Sequence, residues 1–179
     1  MNNLVVASEA IASGQLTRKR LNRDYERLYR NVYVPKEFKP TAHDRVLGAW
    51  LATGRTAVMV GLSAAVLHGS RWIDDDIVPE VLATHSRAPS GIKAYRGELR
   101  ADEVTRRRGI QCTSVVRTAF DLGRRLAGDE AVIQVDALLN RTRTPLAAVV
   151  TMARRHAGER NLQRLRQVIE RVDPEAESK

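Results

Sequence analysis

The stretch TRKRLNRDYERLYRNVYVP, residues Thr17 to Pro35, decides how the N-terminal part of this chain folds. Thr17 is a residue type that favours a helix N-cap, and neither glycine nor proline interrupts the chain between Thr17 and Arg23. Leu21 is the only apolar residue between Arg18 and Arg23. At helical spacing, cationic and amide side chains therefore flank one buried leucine. The pattern predicts a basic helix with a single apolar contact.

The second half of the stretch has the pattern of a β-hairpin. Residues of high β-propensity stand on both sides of Arg30 and Asn31, and asparagine accepts the positive φ of a tight turn. The β-forming residues are Leu28, Tyr29, Val32, Tyr33 and Val34, followed by Pro35. The pattern therefore predicts two short strands joined at Arg30 and Asn31.

A second, shorter helix is predicted upstream of the basic one. Ser8 is expected to cap a helix from Glu9 to Ser13, and Gly14 with Gln15 is expected to turn the chain into Thr17. The resulting order of helix, turn, basic helix and hairpin is that of a small winged helix-turn-helix. We refer to residues 1–38 as the head.

This arrangement makes double-stranded DNA the expected partner of the head. Arg18, Lys19 and Asn22 are expected to enter the major groove, and Arg23, Arg27 and Arg30 are expected to bind phosphates. The candidate DNA-binding residues are Thr17, Arg18, Lys19, Asn22, Arg23, Arg27 and Arg30. The alternative interpretation of so short a basic helix is a solvated charged face without a partner.

Composition agrees with a polyanionic partner. The chain of 179 residues has a net charge of +9, and residues 1–40 carry eight cations against four carboxylates. Such a charge favours binding to nucleic acid, but RNA or an acidic protein would satisfy it as well as DNA. The apolar share of 43% is that of a folded protein, and with 4% aromatic residues its core must consist mainly of leucine, valine, alanine and isoleucine.

The single cysteine, Cys112, excludes an internal disulfide framework and any site built from several thiolates. The start of the chain lacks the pattern of a secretion signal, and no apolar run approaches the roughly 20 residues of a membrane helix. We therefore expect a cytoplasmic protein that is not inserted in a membrane and that carries no metal or cofactor.

A second domain is predicted from residue 41 to residue 172. Lys36 to Pro40 has the composition of a short linker, and residues 173–179 form a polar tail. Thr41 and Asp44 resemble a capping box that opens a helix ending near Gly54. The whole chain is therefore expected to have an α+β fold, in which a small winged helix-turn-helix precedes a larger mixed domain.

The larger domain is expected to combine a small β-sheet with a helical C-terminal half. The predicted strands are Ala57–Val60, Pro79–Thr84, Ile92–Tyr95 and Gly109–Thr113, with a helix from Ala64 to His68. The arginines Arg106, Arg107 and Arg108 are expected to separate two of the strands. Helices follow from Ser114, from an Asp129 cap through Leu139, from Thr144-Pro145, and through Leu162, Leu165, Ile169 and Val172.

Patterns that indicate catalysis are weak. His68 lies in an apolar segment, where a hydrogen-bonded core histidine is the favoured interpretation. Nucleotidyltransferases place a Gly-Ser phosphate turn ahead of two alternating aspartates, and Asp74 and Asp76 alternate in this way. However, only three residues separate Ser70 from Asp74, too few for the helix those enzymes place there. A solvated acidic loop that can pair with the basic head is favoured, and no enzymatic activity is expected.

Four motifs, in this order, resemble the AbiEi-like antitoxin family of bacteria and their phages. They are RNVYVP at 30–35, GLSAAVLHG at 61–69, RTAFDLGR at 117–124 and DEAVIQVDALL at 129–139. The resemblance implies an N-terminal winged helix-turn-helix that binds operator DNA and represses its own operon. It also implies a type IV toxin-antitoxin arrangement in which the toxin partner is a nucleotidyltransferase.

The resemblance extends to longer proteins that continue into an endonuclease-like domain related to very-short-patch repair nucleases. This sequence stops at residue 179, before such a domain, so no nuclease activity is expected. The leading hypothesis is a DNA-binding transcriptional regulator, monomeric or homodimeric. One alternative is an interaction protein that neutralises a toxin or foreign protein without DNA. Another is a nuclease or nucleotidyltransferase remnant that uses Asp74 and Asp76.

Overall fold

The computed structural model describes residues 3–82 and 88–172. The chain divides into two compact units, Met1–Ala57 with Asp74–Gly97 and Val58–Ile73 with Glu98–Lys179. Helices and short strands occur in both, which confirms the α+β class. The predicted tail at residues 173–179 and the end of the strand predicted to reach Thr84 lie outside the described residues.

Short strands and helices are interspersed as far as residue 113, and helices follow from residue 115. The strands are β1 Val5–Val6, β2 Tyr25–Tyr29, β3 Val32–Pro35, β4 Val58–Met59, β5 Glu80–Leu82, β6 Lys93–Tyr95, β7 Val104–Arg107 and β8 Ile110–Thr113. The helices are α1 Ala7–Ala12, α2 Arg18–Asp24, α3 Ala42–Ala52, α4 Gly61–Leu67, α5 Val115–Arg125, α6 Gly128–Thr142, α7 Leu146–Arg155 and α8 Leu162–Val172.

The first unit contains the predicted basic helix, α2, and the predicted hairpin, β2–β3. A third strand, β1, pairs antiparallel with β3, so the sheet order is β1-β3-β2. Two valines are too short a run to show a strand pattern, and β1 was not predicted. A small core beneath these elements buries Ala7, Ala10, Leu16 and Leu21, with Val5, Ile11, Tyr25 and Tyr33 packed against it.

The expected Ser8 cap is wrong, because Asn31 at the tip of the hairpin caps α1 instead. Asn31 has a φ of 64°, as the turn requires. Its carbonyl accepts the N–H of Ala7 at 2.9 Å, and its Oδ1 accepts the N–H of Ser8 at 3.0 Å. The Ser8 hydroxyl accepts from Asn31 Nδ2 at 2.8 Å. Helix α1 therefore begins at Ala7, two residues before the predicted start.

Helix α3 has the predicted capping box. The Thr41 hydroxyl accepts the N–H of Asp44 at 3.3 Å, and Asp44 Oδ2 accepts the N–H of Thr41 at 3.0 Å. The helix packs against the hairpin at Gly48, where a Cβ would lie 3.1 Å from Leu28 Cδ2 and 3.2 Å from Tyr29 Cδ2. A register shift between Arg27 and Tyr29 marks a β-bulge there. The bulge lets two consecutive side chains meet the same helix.

The structural division therefore differs from the predicted domains 1–38 and 41–172. Residues 41–57 lie in the same unit as the head, because α3 covers the side of the hairpin that carries Tyr29. Residues 74–97 return to this unit, in which β5 and β6 pair in parallel. Proline and charge at residues 35–40 suggested a linker between two domains. However, α3, which follows this segment, packs against the hairpin that precedes it.

The acidic loop at residues 74–76 supports α3. Asp75 Oδ1 accepts the N–H of Ala42 at 2.9 Å, and the Asp75 carbonyl accepts from Arg45 Nε at 2.6 Å. A carboxylate at a helix N-terminus satisfies a free N–H group and stabilises the helix dipole. Within residues 3–82 and 88–172, neither Asp74 nor Asp76 forms an ion pair.

The second unit places strands β4, β8 and β7 beside a helical core. β4 pairs in parallel with β8, and β7 pairs antiparallel with β8. The prediction that the arginine cluster only separates strands is wrong, because Arg106 and Arg107 belong to β7 itself. Arg108 and Gly109, at φ values of 51° and 83°, make the turn into β8. The exposed arginines of β7 interrupt the alternating hydrophobic pattern by which a strand is predicted from sequence.

Helices α5 to α8 form the larger core, in which Phe120, Leu122, Leu138, Leu165 and Ile169 are among the most deeply buried side chains. The expected Asp129 cap is wrong. Helix α6 begins at Gly128 with Ala127 as N-cap and without a side-chain cap. Asp129 instead pairs with Arg171 Nη2 at 2.7 Å.

Several charges of the RTAFDLGR motif are buried in this core. Arg117 Nη1 donates to Glu103 Oε2 at 2.5 Å, and Arg117 Nε donates to Asp121 Oδ2 at 3.0 Å. His156 Nε2 lies 2.5 Å from Glu103 Oε1. Burial acts to raise the pKa of Glu103, but hydrogen bonds from His156 and the Arg100 N–H, with the Arg117 charge, bring it below its usual range. The motif's charged residues therefore belong to the core.

Candidate nucleic-acid interface

Thr17 is the N-cap of helix α2, as predicted. The Thr17 hydroxyl accepts the N–H of Arg20 at 3.2 Å, which satisfies one of the free donors of the first turn. Thr17 is a candidate DNA-binding residue that also has this structural role. The helix continues to Asp24 and enters β2 at Tyr25 without a loop.

The outer side of α2 is basic and exposed. Leu21 is 5% exposed and lies in the small core, whereas the candidate DNA-binding side chains of the helix face solvent. The exposed polar residues of the helix are Arg18, Lys19, Arg20, Asn22 and Arg23. Arg18 and Asn22 are four residues apart, as are Lys19 and Arg23, so each pair has neighbouring side chains. The packing of Leu21 thus directs a mixed cationic and amide surface outward.

Asp24 reduces the free charge at the end of this helix. Arg23 donates to Asp24 from Nε at 2.7 Å and from Nη2 at 3.0 Å. Arg20 Nε lies 3.6 Å from Asp24 Oδ2. The hydrogen bonds from Arg23 hold the pKa of Asp24 below its usual value. A phosphate that binds Arg23 must therefore compete with this carboxylate.

The hairpin supplies two further cations. Arg27 on β2 lies opposite Tyr33, and Arg30 lies beside Asn31 at the tip. Both side chains are exposed, and within the described part of the chain neither has a carboxylate at ion-pair distance. The bonds of Asn31 to α1 fix the backbone of the tip. Arg30 is thus displayed from an anchored turn.

The hairpin is also fastened to the end of α2. The N–H of Lys36 donates to the carbonyl of Asp24 at 3.1 Å. Residues 18–30 carry six cations against Asp24 and Glu26, a net charge of +4. Arg20 was not among the predicted DNA-binding residues, although its side chain is exposed as theirs are. The available signal was its place among the cations of the basic helix.

His68 and Cys112 are both buried, and their contacts indicate a structural role. His68 Nε2 lies 2.8 Å from the carbonyl of Thr113, and Arg107 Nε donates to His68 Nδ1 at 3.2 Å. Burial and the Arg107 charge lower the pKa of His68, although the bond to Thr113 opposes this. Burial raises the pKa of Cys112 to about 11, so its thiol stays protonated near neutral pH. The burial of His68 and its two hydrogen bonds agree with the prediction of a hydrogen-bonded core histidine.

Among residues 3–82 and 88–172, no group of three or more histidine, cysteine, aspartate or glutamate side chains is arranged to hold a metal ion. None of the helices in these residues is both long and apolar enough to cross a membrane.

A scan against models of protein families gave no match for this chain, and searches of curated proteins and of solved structures gave none either.

Proposed function

We propose that this protein is a DNA-binding transcriptional regulator whose head is a winged helix-turn-helix, with α2 as the recognition helix and β2–β3 as the wing. One observation carries the proposal. Helix α2 buries only Leu21 and displays cationic and amide side chains, and it leads directly into an anchored basic hairpin. An α-helix of this kind fits the major groove of B-DNA.

The proposal assigns different roles to the two elements. Arg18 and Lys19 lie in the first turn of α2, the end that recognition helices direct toward base edges. Arginine binds guanine and asparagine binds adenine through paired hydrogen bonds, so Arg18 and Asn22 are the residues expected to read sequence. Arg23, Arg27 and Arg30 are expected to bind phosphates, which position the protein without reading bases.

The resemblance to AbiEi-like antitoxins extends the proposal to the protein's biological role. We infer that it represses its own operon in the cytoplasm and acts by binding, without catalysis, as a monomer or homodimer. A nucleotidyltransferase toxin is then the expected protein partner. The motifs at residues 30–35, 61–69, 117–124 and 129–139 support this part of the proposal.

The experiment is a binding competition with the DNA upstream of the protein's own gene. Labelled upstream DNA is titrated with protein, and shuffled DNA of the same composition serves as competitor, at several salt concentrations. We expect a complex that survives a large excess of the shuffled DNA. Arg18→Ala/Asn22→Ala should lose this preference but still bind both DNAs through phosphates, because only base contacts are removed.

The control variant is Arg164→Ala/Gln167→Ala, which removes one arginine and one amide from exposed positions on α8. It should keep the preference for upstream DNA. Equal, weak and strongly salt-sensitive binding of both DNAs by the unmodified protein would contradict the proposal and favour the interaction-protein alternative.

A further inference from the structure

The second unit contains a cleft of about 510 Å³ between the turn after α4 and the outer side of α6. Its volume is within the range of small-molecule sites, roughly 300–1,000 Å³. Trp72 lines this cleft and is 77% exposed. The described residues include three exposed large hydrophobic side chains, Trp72, Val78 and Ile133, and two of these line this one cleft.

The backbone of Trp72 is held in an unusual conformation. Its φ is 63°, which is an outlier for a bulky residue. Two hydrogen bonds from α6 fix the turn: Gln134 Nε2 donates to the Trp72 carbonyl at 2.7 Å, and Arg141 Nε donates to the Gly69 carbonyl at 3.2 Å. Strained backbone of this kind persists where surrounding contacts enforce it and is concentrated at functional sites. The indole is thus displayed in solvent from a fixed turn.

Positive charge surrounds the indole. Among the described residues, the cleft is lined by the arginines Arg71, Arg141 and Arg143 and by one carboxylate, that of Asp136. Arg143, at the end of α6, also has a positive φ of 54°. In the described part of the chain, neither Arg71 nor Arg143 has a carboxylate at ion-pair distance. The described lining of the cleft therefore has a net charge of +2, with guanidinium groups available to an anion.

Helix α6 supplies the rest of the lining from one side. Ile133, Ala137 and Asn140 follow one another at helical spacing and all line the cleft. The Asn140 side chain offers both a donor and an acceptor. An exposed aromatic ring, an apolar wall, an amide and several guanidinium groups therefore lie together.

We propose that this cleft binds a nucleotide unit. The base stacks on Trp72, Asn140 bonds to the edge of the base, and the phosphate binds Arg71 and Arg143. Aromatic stacking beside arginine is how proteins hold unpaired nucleotides. An acidic peptide would satisfy the charge but provides no flat ring to cover the indole. A free nucleotide and a nucleotide of an unpaired strand offer the same chemistry, and the inference does not depend on DNA binding by the head.

The fluorescence of Trp72 itself can report binding in the cleft. The chain has two tryptophans, so Trp50→Phe leaves Trp72 as the only one. The full-length Trp50→Phe protein is titrated separately with AMP, with a single-stranded deoxyadenosine decamer and with hexaglutamate, and tryptophan fluorescence is recorded. Stacking on the indole should quench it saturably. Nucleic acid bound only to the head, which contains no tryptophan, leaves this signal unchanged.

In the same background, Arg71→Ala/Arg143→Asn removes two of the guanidinium groups, and asparagine tolerates the positive φ at residue 143. We expect binding to weaken about tenfold or more, the scale on which a single hydrogen bond to a charged group contributes. Arg71→Ala alone is the second variant, should the double substitution unfold the protein. The matched control, Arg164→Ala/Arg166→Ala, removes two exposed arginines of α8 and should bind normally.

Quenching by AMP would identify a free nucleotide as sufficient, and quenching by the decamer alone would identify an unpaired strand. Either result supports the proposal if the cleft variant loses it and the α8 control keeps it. Quenching by hexaglutamate but by neither nucleotide probe would overturn the proposal in favour of an acidic protein partner. Equal binding by the cleft variant, or no response to any probe, would also overturn it.

Discussion

Arg23 and Arg27 are both exposed arginines of the head, yet their surroundings differ. Arg23 forms two hydrogen bonds with Asp24, while Arg27 has no carboxylate at ion-pair distance in the described residues. Free guanidinium groups bind phosphate without first breaking an ion pair. At the scale of single residues, the hairpin arginines should therefore contribute more to DNA affinity than Arg23.

The first prediction concerns these hairpin arginines. Arg27→Ala/Arg30→Ala should weaken binding to upstream and shuffled DNA by the same factor, because phosphate contacts carry no sequence information. The slope of log binding constant against log salt concentration should become shallower by about 1.8, since each lost phosphate contact changes it by about 0.9. Titrations at four salt concentrations measure this, with Arg164→Ala/Arg166→Ala as the charge-matched control. An unchanged slope would remove the hairpin from the interface.

The second prediction concerns the buried carboxylate Glu103, which is 0% exposed. Glu103→Gln replaces the buried carboxylate by a neutral amide, so the buried guanidinium of Arg117 keeps only one carboxylate partner, Asp121. We expect a loss of about 3 kcal/mol in the free energy of unfolding, the usual scale for a broken buried pair. Urea unfolding measures it. The control, Arg155→Ala, breaks an exposed pair with Asp102 and should change stability little.

The unmodified protein and Glu103→Gln should also differ in how their stability depends on pH. Because the folded-state pKa of Glu103 lies below its reference value of 4.5, ionised Glu103 stabilises the fold above that pH. This contribution declines as the pH falls below 4.5 through the lower folded-state pKa. The difference in unfolding free energy between the unmodified protein and Glu103→Gln should therefore narrow on acidification. A difference that is the same at every pH would show that the carboxylate charge contributes nothing.

At the scale of elements, α5 and α8 approach each other closely at Gly123. A Cβ on Gly123 would lie 2.5 Å from Leu165 Cδ1, and Leu165 is fully buried. Gly123→Ala gains about 1 kcal/mol of helix propensity, but overpacking a core costs about 1–3 kcal/mol. The third prediction is therefore net destabilisation, measured by thermal or urea unfolding.

The test of this explanation is a double-mutant cycle. Leu165→Ala removes the colliding atom, so Gly123→Ala should cost little or nothing in that background. Gly158→Ala is the control, because among the described residues beyond its chain neighbours no atom lies within 4 Å of the added Cβ, and the position has no positive φ. Equal costs of Gly123→Ala with and without Leu165 would refute the steric explanation.

At the scale of the whole molecule, the head is part of a larger unit. Tyr29 is 5% exposed, and its ring lies against Gly48 of α3. A chain cut after residue 40 would expose this ring and Leu28 together.

The fourth prediction is that a fragment of residues 1–40 does not fold alone. It should show no cooperative thermal transition by circular dichroism, whereas the full-length chain should. The reason is that so small a fragment buries too little apolar surface to offset its conformational entropy. A sharp transition and a dispersed NMR spectrum for the fragment would restore the domain boundary at residues 36–40.

Local patterns predicted much of the fold. The Thr17 cap, the Asn31 turn, the capping box of Thr41 and Asp44, and the helix through Leu165 all depend on residues within a few positions of one another. The predictions that Ser8 and Asp129 cap helices were wrong because each residue bonds to a group that is distant in the sequence. Asn31 is 23 positions from Ser8, and Arg171 is 42 positions from Asp129.

The sequence alone determined that this chain carries an exposed basic helix followed by a hairpin, because charge, periodicity and capping are local properties. Only the tertiary structure decided which units these elements join and where Trp72 lies. The Trp72 turn is fixed by Gln134, 62 positions away, and by Arg141 through Gly69, 72 positions away. Contacts over such distances depend on how the whole unit packs, and no local pattern encodes them.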